Sequence, residues 1–447
     1  MLTTPPSSAT ALDATAASEP AHVSFFTALL FWLKLGFISF GGPAGQIAVM
    51  HEELVVRRRW ISEKRFLYAL NYCMLLPGPE AQQLATYIGW LLHGTWGGIV
   101  AGGLFVLPSF FILTALSALY VAYGDLPAVR GVLYGMQPAV VAIIAVAVLR
   151  IGQRALRHGV SLVLAAGAFL ALLFDVPFPL IILTAGILGV LGGRIWPQAF
   201  SRAGHGGKHV ESYGPALIDD HHAVLAHTRP SFSRFTLHLV VALVLWVVPL
   251  TALIAWQGWH GTLTQMGVFF TKAALVTFGG AYAVLPYVND YATSAGWLGG
   301  EQMIDGLALG ETTPGPLIMV VAFVGFVGGW QRAGMGWTGA VLGSTIATYF
   351  TFLPSFLFIM LGAPLIERMR GELRLNAALS GITAAVVGVI LHLAYEFGRK
   401  VFFTTGGIDP WSVAIAVVAF VALWRFKQNV VRVVIIAGLL GWVLAAM

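Results

Sequence analysis

The sequence predicts an all-α polytopic membrane protein: two inverted-topology repeats, each with broken, re-entrant helices and about four full spans, joined by an extra transmembrane helix. Three observations predict it: an apolar composition, six apolar stretches on either side of a lone span, and one set of motifs that recurs in order. Of the 447 residues, 58% are apolar and only 10% charged, against roughly 25% charged in soluble domains. The 52 glycines and 14 tryptophans suit spans and their borders. A string of soluble domains is excluded. Cys73 is the single cysteine, which excludes an internal disulfide and any Cys-rich metal or redox centre. The balance of 25 basic to 19 acidic residues reads as basic loops on the cytoplasmic side of a membrane rather than as a nucleic-acid surface.

Residues 1–24 hold no Lys or Arg and are rich in Pro, Ser, Thr and Ala. They predict a disordered tail, with neither the basic start nor the apolar core of a secretory signal. The first repeat, 25–194, contains apolar stretches at 25–49, 66–92, 95–123, 131–149, 159–174 and 178–193. A polar, His-rich linker spans 195–234, and the extra helix spans 235–258. The second repeat, 263–447, contains stretches at 263–288, 302–328, 336–362, 376–395, 410–424 and 430–446. Each crossing needs about 20 apolar residues, and several stretches are interrupted by Gly and Pro.

The two sets of six are one unit written twice. Lys34 and Phe40-Gly41-Gly42 match Lys272 and Phe278-Gly279-Gly280 at an offset of 238. Trp60 and Pro77-Gly78-Pro79 match Trp297 and Pro314-Gly315-Pro316 at 237. Trp96, Gly98 and Gly102 match Trp337, Gly339 and Gly343 at 241, and these glycines predict helix-packing faces. Leu107-Pro108-Ser109-Phe110 matches Leu353-Pro354-Ser355-Phe356 at 246. Ala185-Gly186 and Gly189 match Ala437-Gly438 and Gly441 at 252. Shared apolar bias explains chance Leu and Ala matches, but not these anchors in series.

Charge placement predicts that the halves face opposite ways. In the first half Arg57, Arg58, Arg59, Lys64 and Arg65 follow stretch one, Arg150, Arg154 and Arg157 follow stretch four, and Arg194, Arg202 and Lys208 follow stretch six. In the second half the gap after the first stretch holds Asp290, Glu301 and Asp305 without a base. Its basic groups are Arg368, Arg370 and Arg374 after stretch three, with Arg425, Lys427 and Arg432 at the last turn. An inverted second copy places all these clusters on the cytoplasmic side, provided the broken stretches dip in and return.

Those breaks predict the site. Phe40-Gly41-Gly42-Pro43 and Leu76-Pro77-Gly78-Pro79 stop a helix, and non-helical backbone at membrane depth is tolerated only against protein or a watery cavity. Half-helices restarting there present free N–H groups and a positive dipole end, which suit an anion. Substrate-binding candidates in the first half are Lys34, Gly41, Gly42, Gln46, Pro77, Gly78, Glu80, Gln83 and Tyr87, with Gln82 beside them. In the second half they are Lys272, Thr277, Gly279, Gly280, Tyr282, Glu311, Thr313 and Gly315, with Thr312 beside them. A Lys at membrane depth is expensive and so functional, unless it snorkels to an interface. Glu80 is read as a helix-capping carboxylate or, together with Glu311, as a partner of the lysines or a proton carrier.

No catalytic set and no cofactor is predicted. The linker histidines His205, His209, His221, His222 and His227 sit in Gly- and Ser-rich sequence, which argues against a metal site. No span carries HExxH, and every Asp is read as falling in a tail or loop, with Asp305 at the edge of the stretch 302–328, so metallo- and aspartyl-type intramembrane proteolysis lack their reagents. A cation transporter would show carboxylates in its spans where this chain offers paired lysines. Residues alone thus lead to an anion transporter, with a passive anion channel as the competing class. The expected partners are an oxyanion and the lipid bilayer, with no nucleic acid; oligomeric state stays open, a homodimer included.

The motifs also resemble those of the chromate ion transporter family in its long, two-domain form. The resemblance rests on Phe40-Gly41-Gly42-Pro43, on His51-Glu52-Glu53-Leu54-Val55 with Trp60, and on Leu76-Pro77-Gly78-Pro79-Glu80-Ala81 running into Gln83-Leu84-Ala85 and Tyr87. Their counterparts are Thr277-Phe278-Gly279-Gly280 and Glu311-Thr312-Thr313-Pro314-Gly315-Pro316. Ala281 departs from the pattern where the first half has Pro43, which predicts a softer second break. The resemblance implies export of chromate, with sulfate as its analogue, across the inner membrane, conferring resistance.

Overall fold

The computed structural model describes residues 23–196, 213–219, 226–368, 376–404 and 406–446. The expected tail therefore lies almost wholly outside the described residues, as do His205, His209, His221 and His222 of the linker. The fold is all-α and polytopic, with one two-residue hairpin, Phe403–Thr404 against Gly407–Ile408, as its only sheet among the described residues. Among the described residues six helices are long and apolar enough to cross a membrane, and five shorter apolar helices accompany them.

Glycine punctuation sets the helix ends. Helix α1, Phe25–Ile38, starts where the Ser24 side chain accepts from the Thr27 N–H. It ends before Gly41 and Gly42, at φ +86° and +70°, a region costly for any residue with a Cβ. Helix α2, Gly42–His51, then runs into a π-helical turn, Glu52–Arg57. Helix α3, Glu63–Cys73, ends before Gly78 at φ +122°. Helix α4, Glu80–Tyr123, kinks at His93 and Gly94, so stretches two and three share one long element. Helices α5, Pro127–Ala155, α6, Gly159–Leu173, and α7, Phe178–Ile195, complete the first half, and α8, Phe232–Gln257, follows the linker.

The second half repeats this order. Helix α9, Thr262–Leu275, breaks at Gly279 and Gly280, at φ +79° and +98°, before α10, Ala281–Ser294. Helix α11, Gly300–Thr312, breaks at Gly315, at φ +97°, before a 3₁₀ turn and α12, Val320–Arg332. Helices α13, Gly336–Arg368, α14, Asn376–Phe402, α15, Pro410–Trp424, and α16, Val430–Ala446, follow. The break before Ala281 is not softened by the missing proline, because the two glycines make the turn.

The broken pairs are hairpins. Trp60, beyond α2, meets Phe31 at the middle of α1 at 5.0 Å between rings, and Arg58 lies over the same Phe31 ring. Tyr72 of α3 meets Tyr87 of α4 at 5.7 Å. In the second half Phe269 stacks on Tyr291 at 4.0 Å, and Thr262 donates to the Arg332 carbonyl, which joins the outer ends of α9 and α12. The first-half hairpins close against the C-terminal end of α13, and the second-half hairpins against the C-terminal end of α4.

The halves interlock by exchange. Helix α5 packs on α15 and α16, α14 packs on α6 and α7, and α5 meets α14. Two matched contacts explain the small residues there. A Cβ on Gly135 would lie 2.0 Å from the Ala437 carbonyl oxygen, and one on Gly381 would lie 2.4 Å from that of Ala185. Helix α8 lies against α9 and α13, with Trp246 Nε1 donating to Thr271.

Candidate functional site at the crossing of the breaks

All four breaks converge on one another. The Gly315 N–H donates to the Ser39 carbonyl, and the Gly78 N–H donates to the Thr277 carbonyl, each at 2.7 Å. Ser39 and Thr277 are counterparts, as are Gly78 and Gly315, so the two halves exchange the same bond. The geometry needs glycine twice over. A Cβ on Gly78 would lie 2.4 Å from Ser355 Oγ, and one on Gly315 would lie 2.7 Å from Ser109 Cβ. A Cβ on Gly280 would lie 3.9 Å from the Pro43 ring, so the two Gly-Gly breaks also adjoin.

Side chains tie the crossing. Gln46 donates to the Gly315 carbonyl, and Gln83 donates to the Pro77 carbonyl at 2.8 Å. Tyr282, just past the second Gly-Gly break, donates to buried Glu311. Thr313 donates to the Gly310 carbonyl and Thr277 to the Ala273 carbonyl, each within its own helix end. Helices α2, α4 and α10 start here without a side-chain cap, leaving their first-turn N–H groups to other acceptors. The buried hydroxyls of Ser39, Ser109 and Ser355 and the amide oxygens of Gln82 and Gln83 have no hydrogen-bond partner among the described residues. Orphaned buried polar atoms are costly, and hydroxyl donors with uncapped N–H groups are what an oxyanion accepts from.

Several predicted residues lie elsewhere. Lys34 and Lys272 are exposed on the outer faces of α1 and α9, Lys34 between exposed Leu33 and Phe37. Their setting is that of lysines whose stems lie on apolar surface, and Glu311 is held by Tyr282 instead. Glu80 is half-buried in the first turn of α4, where a carboxylate complements the helix dipole. Tyr87 turns from the crossing and donates to Glu367, which also pairs with Arg65 at 2.9 Å.

Pattern reading missed Ser39, Ser109 and Ser355 at the crossing and, away from it, the buried pair of Arg65 and Glu367. The duplicated Leu-Pro-Ser-Phe was visible as a repeat marker, and its serine was the available signal. Arg65 was hidden among basic loop neighbours. A cavity of about 300 Å³ lies away from the crossing, at the outer ends of α9, α10 and α12, lined by His260, Gln265, Tyr291, Trp297 and Arg332.

Comparison with known proteins accords with this arrangement. The family model described as Chromate transporter matches residues 26–190 and again 264–442, one match to each half. The chain is 33% identical over 444 residues to the chromate transport protein of Pseudomonas aeruginosa, covering 98% of this chain and 96% of that one. It is 28% identical over 429 residues to the chromate transport protein of Cupriavidus metallidurans, covering 93% and 92%. An uncharacterized transporter of Bacillus subtilis is 26% identical over 178 residues, 98% of its own length but 39% of this chain. No solved structure matches. A polytopic helical membrane protein whose two halves each match one family model, with a near full-length relative at 33% identity, belongs to the chromate transporter family.

Proposed function

We propose that this protein is a secondary transporter that exports chromate, or a sulfate-like tetrahedral oxyanion, across the cytoplasmic membrane and so confers resistance. The two halves act as inverted copies around one site at the crossing. The observation that carries this reading is the reciprocal bonding of the four breaks around three unpartnered buried hydroxyls. Chromate as the cargo is supported by the names of the relatives.

Export is favoured by the membrane potential once the fixed charges set the orientation. Arg57, Arg58, Arg59 and Lys64 lie at the end where the first-half hairpins open, and the positive-inside rule makes that end cytoplasmic. A dianion leaving a negative interior across 100 mV gains about 4.6 kcal/mol. The site carries the substrate on hydroxyls and helix-start N–H groups, and Glu311 with Tyr282 is the carboxyl that would exchange a proton with it.

Radiolabelled chromate and sulfate uptake into everted vesicles, with and without a pH gradient, tests the reading. Saturable chromate uptake with counterflow is the expected result. Flux that neither saturates nor shows counterflow identifies a passive channel, and no uptake removes the assignment.

A further inference from the structure

None of the side chains that tie the crossing is a Lys or Arg, and the buried cation of the described residues lies elsewhere. Among the described residues Arg65 is the only Lys or Arg that is buried, at 5% exposure. It lies in the first turn of α3, at the end of the bundle that carries Arg57, Arg58 and Arg59. About 13 Å of helix separates it from the break that follows Cys73. Its partner, Glu367, comes from the other half, at the end of α13, and is buried as well. Both carboxylate oxygens are held from the first half, Oε2 by Arg65 and Oε1 by Tyr87. Tyr68 donates to the Ile366 carbonyl at 2.7 Å and Tyr72 to the Phe358 carbonyl at 3.1 Å, so one α3 face grips one end of α13.

A buried ion pair is a poor device for stability alone, because desolvation of both charges offsets most of their attraction. It is a good device for a switch, because one partner can be exchanged for a competing anion. Guanidinium donors fit a carboxylate and a tetrahedral oxyanion by the same geometry.

We propose that Arg65 is a substrate-contacting residue on the cytoplasmic path, and that the oxyanion displaces Glu367 from it, releasing the end of α13 from the first half. This rests on the oxyanion-transport reading above. Arg65 is at once the first buried cation the substrate meets and the latch that holds the halves together at that end. Differential affinity of the substrate for the released state supplies the shift, since a ligand moves an equilibrium only by binding one state better.

The other end shows the contrast: at the offset of 237 the counterpart of Arg65 is the neutral Gln302, and that of Tyr68 is Asp305. Asp305 of α11 is buried and held by neutral donors, Tyr120 at 3.0 Å and Gln137 at 2.9 Å. An oxyanion thus meets a displaceable carboxylate on a cation at one end and a fixed carboxylate at the other.

The test uses the full-length protein in proteoliposomes, with chromate as the probe. Glu367→Gln removes the competitor and should lower KM at the Arg65 end about tenfold. Arg65→Lys keeps the charge but loses the fork, and should raise KM about tenfold with kcat within about twofold. The double exchange Arg65→Glu with Glu367→Arg keeps a pair and should leave transport below about one hundredth of the original. Transport restored by the exchange, or KM unmoved in both single variants, overturns the proposal. If Glu367→Gln is not inserted, Arg65→Lys alone decides by its KM. Failure of the unaltered protein to move chromate would instead overturn the underlying reading, which the same assay shows first.

Discussion

The two crossings of the protein are alike, and the two ends of its bundle are not. At the centre each half hands the other the same backbone bond, Gly78 to Thr277 and Gly315 to Ser39, with Ser355 and Ser109 in matching places. At the ends, the residues that close the first-half hairpins are an arginine and a glutamate, whereas those that close the second-half hairpins are an aspartate, a tyrosine and a glutamine. Backbone geometry has been kept through the duplication while side-chain charge has diverged. On the proposed transport reading, a substrate that visits both ends in turn uses one shared site and two different exits.

Predictions follow the same division, and the largest effects belong to the shared centre. Gly78→Leu and Gly315→Leu each force a side chain into positive φ against a serine of the other half. Transport should fall by about a hundredfold or more in both, since that backbone costs about 1–2 kcal/mol before any overlap is counted. Vesicle uptake normalised to membrane level measures it, and a large loss in only one would break the equivalence of the crossings. Ser109→Ala and Ser355→Ala should each weaken chromate affinity about tenfold, the effect of one lost donor. If a single serine matters, only one crossing binds substrate.

Smaller effects belong to the ends and the surface. Asp305→Asn removes the fixed negative charge opposite the Arg65 end and should lower KM from that side about threefold, measured by counterflow. No change would mean that the acidic end does not face the path. Lys34→Ala and Lys272→Ala should leave uptake within about twofold, because both side chains are exposed. A tenfold loss in either would draw the lysines back into the site.

Much of this was legible before any fold was seen. The apolar stretches, the positions where they break and the pairing of anchors between halves are properties of local sequence. A membrane leaves the backbone only helices or closed barrels, and Gly-Gly or Pro-Gly-Pro interrupts a helix wherever it stands. The second break shows the limit of reading by likeness: Ala281 replaces a proline, yet Gly279 and Gly280 turn the chain as fully as Gly41 and Gly42 do.

The sequence by itself determined the helical, polytopic class, the doubled order of elements and the location of the breaks. Tertiary structure decided which side chains face those breaks. Lys34 and Lys272 share a position in the repeat, but the rotation of α1 and α9 about their axes turns both outward. Ser109 and Ser355 belong to helices of the opposite half from the glycines they touch, and Arg65 finds Glu367 three hundred residues away in the chain. Periodicity along one helix carries no information about which face another helix will cover, because that depends on how the halves exchange their segments. The chemistry of the crossing is assembled between copies, and so it could be seen only once they were packed together.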